Sequence, residues 1–166
     1  MIVKTKVLFV CLGNICRSPT AEAVLRKMLQ DRGLTHLVDV DSAGTGNWHA
    51  GSPPDERAVA AAQARGYDMA GLKARQIEEN DYRHFDLILA MDRSNVSHMR
   101  RSCTNGTAGK IGLVLEYAQH SPLSEVPDPY YGEGDGFELV LDLLEDACDC
   151  LIERICAAPN VKRIGS

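Results

Sequence analysis

The chain has 166 residues and a net charge of −5, which excludes the basic footprint expected of a nucleic-acid binder. With 45% hydrophobic and 25% charged residues, it suits one globular domain over residues 1–166 and is short for two. No apolar run approaches the ~18 residues of a membrane-spanning helix, so no membrane insertion and a cytoplasmic location are expected.

Lys4 and Lys6 precede the apolar stretch "VLFV". That stretch is short and runs into polar sequence without a small-residue cleavage site, so it reads as a core strand rather than a leader. Residues 7–10 are apolar at successive positions, as in a strand buried on both faces. Ala21, Val24, Leu25, Met28 and Leu29 then repeat at helical spacing, and Gly33 stops that helix. Residues 38–40 read as a second strand that ends in the loop Ser42-Ala43-Gly44-Thr45-Gly46. Pro53-Pro54 opens an alanine-rich helix that Gly66 closes.

Leu87–Ala90 is a third strand, with Asp92 or Ser94 placed to cap a helix reaching about Arg101. Residues 101–110 form an exposed connection, and 111–115 a fourth, shorter strand. Three prolines and three glycines make 119–136 a long surface loop, of the kind that is usually functional. Phe137, Val140, Leu141, Leu144, Ala147, Cys148, Leu151, Ile152 and Ile155 form the continuous stripe of a final helix. Strands alternating with helices predict an α/β fold, a single domain with a four-stranded parallel sheet and helices on both faces.

Six cysteines, Cys11, Cys16, Cys103, Cys148, Cys150 and Cys156, are expected to be reduced thiols, because the apolar content suffices for a core. They lack the paired C-x2-C knuckles of structural zinc sites, so no metal is expected.

The stretch "CLGNICRSP" is the unusual one, with a thiol and a guanidinium six positions apart at a strand-to-helix turn. In such folds ligands bind beyond the carboxyl ends of the strands. The turn's amides and the helix N-terminus make a cradle for an anion, and Arg17 adds a forked donor for phosphate. A cation is badly placed against the dipole at a helix start, which favours an anionic partner for Arg17. The same positive field favours a thiolate at Cys11, a nucleophile aimed at phosphorus. Asn14 suits a left-handed backbone conformation in the cradle. Nucleotide binding is disfavoured, since G-x-x-x-x-G-K-[ST] is absent and "GTAGK" at 106–110 is too short.

C-x5-R-[ST] after the first strand resembles the low-molecular-weight protein tyrosine phosphatase family. The likeness runs from "VLFVCLGNICRSPTAEAV" through "DSAGTGNW", "PPDERA", "ARQI", "FDLILAMDRSN" and "PDPYYG" to "FELVLDLLEDACDCL". The resemblance implies hydrolysis of protein phosphotyrosine and aryl phosphates through a phosphocysteine, without a cofactor or metal. It makes Cys11 the nucleophile, Arg17 its cationic partner and Asp128 the general acid and then base. It places Leu12, Gly13, Asn14, Ile15, Cys16 and Ser18 around the phosphate, with Asn14, Ser18 and Ser42 as a hydrogen-bonded brace. Leu12, Trp48, Tyr130 and Tyr131 become walls selecting a planar leaving group.

Cys16 is the implied redox partner of Cys11. The implied partners are phosphotyrosine proteins and, as inhibitors, inorganic phosphate or other oxyanions; a monomer is expected. The sequence departs from many eukaryotic-type members at Leu72, where they carry a histidine joined to the brace. Three rivals remain. An arsenate reductase of this fold would need a thiol relay, for which Cys103 and the last-helix cysteines are candidates, but "DPY" argues for an ester leaving group. An arginine phosphatase typically carries threonine where Ile15 stands. A phosphotyrosine-binding module would be expected to lack the nucleophile or the acid.

Overall fold

A computed structural model describes residues 3–130 and 135–158. Its strands are β1 (Thr5–Cys11), β2 (Val38–Gly44), β3 (Leu87–Ala90) and β4 (Ile111–Leu113), all parallel, in the order β2-β1-β3-β4. Its helices are α1 (Arg17–Asp31), α2 (Glu56–Ala64), α3 (Glu79–His84), α4 (Arg93–Ser102) and α5 (Gly136–Ala157).

The unbroken apolar run of β1 follows from its central place, since a strand covered on both faces has no polar side. Val7, Phe9 and Cys11 point into one core with α1 and α5, where Leu25, Leu29, Leu144 and Leu151 pack. Leu8 and Val10 point into the other, against Tyr82 and Phe85 and the Val96 and Met99 of α4. Leu89 and Ile88 repeat this division on β3.

Local chemistry closes the helices where the sequence suggested. Gly33, at φ 69°, follows α1, and Leu34 N–H returns to the Leu29 carbonyl at 2.8 Å, a glycine-terminated helix end. Asp92 and Asn95 exchange side-chain-to-backbone bonds at the start of α4.

Three elements differ from the sequence reading. β2 runs on to Gly44, so Ser42 is a strand residue paired with Phe9 rather than part of a loop. β4 stops at Leu113, and a 3-10 turn, Val114–Tyr117, takes the remaining apolar residues into the core. The short α3 was not anticipated. Its "ENDYRH" is too polar and brief for a helical stripe, and Asp81 caps its start by accepting from the Glu78 N–H at 2.7 Å.

The strand order puts a crevice beyond the carboxyl ends of β1 and β3, because the chain leaves β1 for β2 on one side and returns to β3 on the other. The turn after β1 sits there, pressed against Gly44. A Cβ built on Gly44 would lie 2.8 Å from the Leu12 carbonyl oxygen and 3.1 Å from the Gly13 carbonyl carbon. Both atoms are backbone and cannot rotate away. Gly44→Ala should therefore cost about 1–3 kcal/mol of stability, the usual range for overpacking. Urea unfolding followed by far-ultraviolet circular dichroism checks this; a stability equal to the parent's would mean the turn can move aside.

Candidate active site

Cys11 is the last residue of β1, and its sulfur accepts the Asn14 N–H at 3.3 Å and lies 3.0 Å from Ser18 Oγ. The turn between them curls because Asn14 takes a positive φ of 58°, a conformation asparagine tolerates better than most residues. The turn's carbonyls are engaged outward. Thr45 N–H reaches that of Cys11, Gly46 N–H that of Leu12 and Asp55 N–H that of Ile15. The turn then has its amides to offer the pocket, as does the first turn of α1, whose start carries no side-chain cap.

Beneath the turn runs a column of polar side chains. Asn14 Nδ2 donates to Ser18 Oγ at 2.7 Å and to Ser42 Oγ at 3.0 Å, while its Oδ1 accepts the Arg75 N–H at 3.0 Å. The Arg75 bond fixes which end of the amide faces which partner.

Arg17 opens α1 and is 3% exposed. Its Nη1 donates to Asp92 Oδ2 at 2.7 Å and to the Val126 carbonyl at 3.0 Å, and its Nη2 lies 3.6 Å from Asp128 Oδ2. Burial works against this charge, but Cys11, Asp92 and Asp128 outweigh it and hold the guanidinium more firmly protonated than usual. The anion that compensates the misplaced cation is thus partly the protein's own Asp92, which the sequence reading treated only as a helix cap.

Cys11, Leu12, Gly13, Ile15, Cys16, Arg17, Trp48, His49, Asp128 and Tyr130 line one pocket of about 230 Å³. That is below the ~300–1,000 Å³ of clefts that engulf whole ligands, so it takes a group rather than a molecule. Leu12, Trp48 and Tyr130 are exposed and form the rim, with Trp48 70% accessible and its ring laid over Gly46. His49 belongs to this rim and was missed by the sequence reading. Its ring packs over Gly13, where an added Cβ would meet it at 3.0 Å. Tyr131 lies outside the described residues. Asn14, Ser18 and Ser42 lie below the pocket rather than in its lining.

The two pocket thiols differ. Burial and the nearby Asp55 carboxylate push Cys16 up to about 12, so it stays a neutral thiol at ordinary pH. Of the other cysteines, Cys148 sits in the main core and Cys103 beside the core on the opposite sheet face. Cys150 is buried and Cys156 exposed on α5. None of these four lines the pocket. Among the described residues, no group of three or more His, Cys, Asp and Glu is arranged to hold a metal ion, and no helix is long and apolar enough to cross a membrane.

A family model for low molecular weight phosphotyrosine protein phosphatase matches residues 6–160. The chain belongs to this family. The low molecular weight protein-tyrosine-phosphatase YfkJ of Bacillus subtilis is 42% identical over 149 residues, 90% of this chain and 94% of YfkJ. The crystal structure of a protein tyrosine phosphatase from Entamoeba histolytica, with Hepes in the active site, matches at a TM-score of 0.89. Its identity is 42%, covering 93% of this chain and 98% of that one. The structure of the Drosophila arginine phosphatase matches at 0.82 and 34% identity, covering 90% and 97%.

Within this low-molecular-weight phosphatase family chain, Leu72 packs against the main core and offers the polar column nothing. The column ends instead on Glu22, also missed by the sequence reading, whose Oε1 accepts the Ser42 hydroxyl at 2.7 Å. Glu22 Oε2 pairs with Arg26 Nη2 at 2.7 Å. The sequence marks half of this, since Glu22 stands between Ser18 and Arg26 at four-residue steps inside the apolar face of α1, but its partner Ser42 lies on β2.

Burial raises the Glu22 carboxyl above its ordinary 4.5, against the opposing pull of Ser42 and Arg26. A carboxyl raised on folding binds its proton more tightly in the native state, so stability falls as pH climbs from 4.5 through the native value. Glu22→Gln lacks that titration. The stability of the variant relative to the parent should therefore rise with pH across this window and level off above it. Denaturant midpoints between pH 4 and 8 test this; a difference independent of pH would refute it.

Proposed function

We propose that this chain hydrolyses phosphotyrosine in proteins, and aryl phosphates generally, by way of a phosphocysteine. The observation that carries the reading is that Cys11 and Arg17, at the two ends of the turn between β1 and α1, line one pocket with Asp128 from a distant segment. The Cys11 thiolate attacks phosphorus from the base of the cradle, while the turn amides and Arg17 take up charge on the equatorial oxygens. As the bond from phosphorus to the tyrosyl oxygen breaks, Asp128 gives that oxygen its proton, an assistance worth roughly 10²–10⁴-fold. A water then attacks the phosphocysteine, its proton passes to Asp128, and the thiolate leaves with the Ser18 hydroxyl beside it.

Leu12, Trp48 and Tyr130 supply apolar walls for a flat ring. Ile15 on the lining favours an aromatic ester over a charged guanidinium, which makes phosphoarginine the lesser reading. The four cysteines outside the pocket leave an arsenate-reducing relay without a route. Arg17 and the amides do what a metal otherwise would, so the reaction needs no divalent ion. Inorganic phosphate and similar oxyanions compete for the same cradle, and the chain acts as a monomer in the cytoplasm.

The parent should turn over p-nitrophenyl phosphate and phosphotyrosine peptides in EDTA, well ahead of phosphoserine or phosphoarginine peptides. Cys11→Ser should keep the fold and abolish turnover, and Asp128→Asn should slow phenyl phosphate far more than esters with strongly acidic leaving groups. Turnover surviving in Cys11→Ser would overturn the mechanism.

The buried neighbour Cys16 also fits a protective role. Peroxide oxidises the Cys11 thiolate to a sulfenic acid, and the Cys16 thiol displaces water from it to form a disulfide. Inactivation by peroxide should then be reversed by dithiothreitol in the parent and become largely irreversible in Cys16→Ser. Full recovery of that variant would remove the role.

A further inference from the structure

Arg57 does not line the pocket, yet its contacts converge on the segment that carries Asp128. It stands in the first turn of α2, whose cap residue Asp55 accepts the Arg57 N–H at 2.8 Å. The guanidinium grips the same carboxylate with Nε to Oδ1 at 3.1 Å and Nη2 to Oδ2 at 3.0 Å. Asp55 is in turn anchored to the cradle, its N–H donating to the Ile15 carbonyl at 2.8 Å. On its other side Arg57 Nη2 donates to the Tyr130 carbonyl at 3.2 Å. The guanidinium carbon lies 5.5 Å from the centre of the Tyr130 ring and 5.0 Å from that of Phe137, in the first turn of α5. Residues on both sides of 131–134 therefore meet one planar cation.

Asp128 depends on the same residue. Its Oδ1 accepts the Tyr130 N–H at 3.0 Å, so the orientation of the carboxyl follows the backbone that Arg57 holds. We propose that Arg57 is a positioning residue for the general acid, strapping the Asp128 segment to the phosphate cradle through Asp55. The proposal rests on the phosphatase reading above. An ion pair at a half-exposed arginine contributes little to stability, so a structural role alone is a poor account of this convergence. Placement of an acid is far more sensitive, since displacements near 1 Å can cost on the order of 100-fold in rate. Lysine has the charge but neither the fork nor the plane that grips Asp55 and lies against two rings.

The experiment measures kcat/KM, which reports the steps through thiolate attack, for aryl phosphates running from phenol to dinitrophenol as leaving group. Parent, Arg57→Ala, Arg57→Lys, Asp128→Asn and the double variant Arg57→Ala/Asp128→Asn are compared. Both Arg57 variants should lose roughly tenfold on phenyl phosphate, part of the full general-acid effect. They should lose much less on the dinitrophenyl ester, and their melting temperatures should stay near the parent's. In the Asp128→Asn background Arg57→Ala should add almost nothing, because the group it positions is gone. Equal losses along the leaving-group series, or losses that multiply in the double variant, would overturn the inference while leaving the phosphatase reading intact. A parent without turnover, or an Asp128→Asn indifferent to the leaving group, would instead remove the underlying reading and this inference with it.

Discussion

A full positive charge held at 3% exposure is expensive to bury unless anions and carbonyls surround it, and Arg17 is such a charge. Its partners come from distant parts of the chain. Asp92 follows β3, the Val126 carbonyl precedes the acid, and Asp128 faces the same guanidinium. Meeting that one requirement draws the ends of β1 and β3 and the 126–130 segment to a single point. Val126 is also tied to the end of β3, its N–H donating to the Met91 carbonyl at 2.8 Å. The desolvation of the cation is thus met on folding, and the guanidinium is held in one orientation at the pocket.

The turn that faces Arg17 is held from below. Asn14 has a strained backbone angle and a side chain with every polar hydrogen engaged, so conformation and hydrogen bonding support each other. The column from Ser18 through Asn14 and Ser42 to Glu22 is a continuous buried polar thread, and Arg26 brings its end to the surface. Fully partnered networks of this kind rigidify what they touch.

What could be read in the sequence was what depends on neighbours along the chain. The strand-to-helix turn, the stripe of α5 and the glycine after α1 are all local patterns. Cys11 and Arg17 stood out because their spacing and setting sufficed. Asp128 was reachable only in the company of the Cys11–Arg17 motif and through family resemblance, since an isolated Asp-Pro is ordinary turn chemistry. Glu22 meets Ser42 only because β2 runs on past its expected end, and Asp92 meets Arg17 only because β3 lies beside β1. His49 entered the pocket through the missing side chain of Gly13. Each of these three needed the register of the sheet or the shape of a turn, which residue types alone do not specify.

The chain's only indole, Trp48, stands at the mouth of the pocket with most of its ring in water. Its ultraviolet emission is therefore that of a solvated fluorophore even in the native protein. Unfolding changes its surroundings little, whereas an aromatic ring or oxyanion seated a few ångströms away alters its quenching. Tryptophan emission in this molecule is therefore suited to following pocket occupancy rather than how much of the core remains folded.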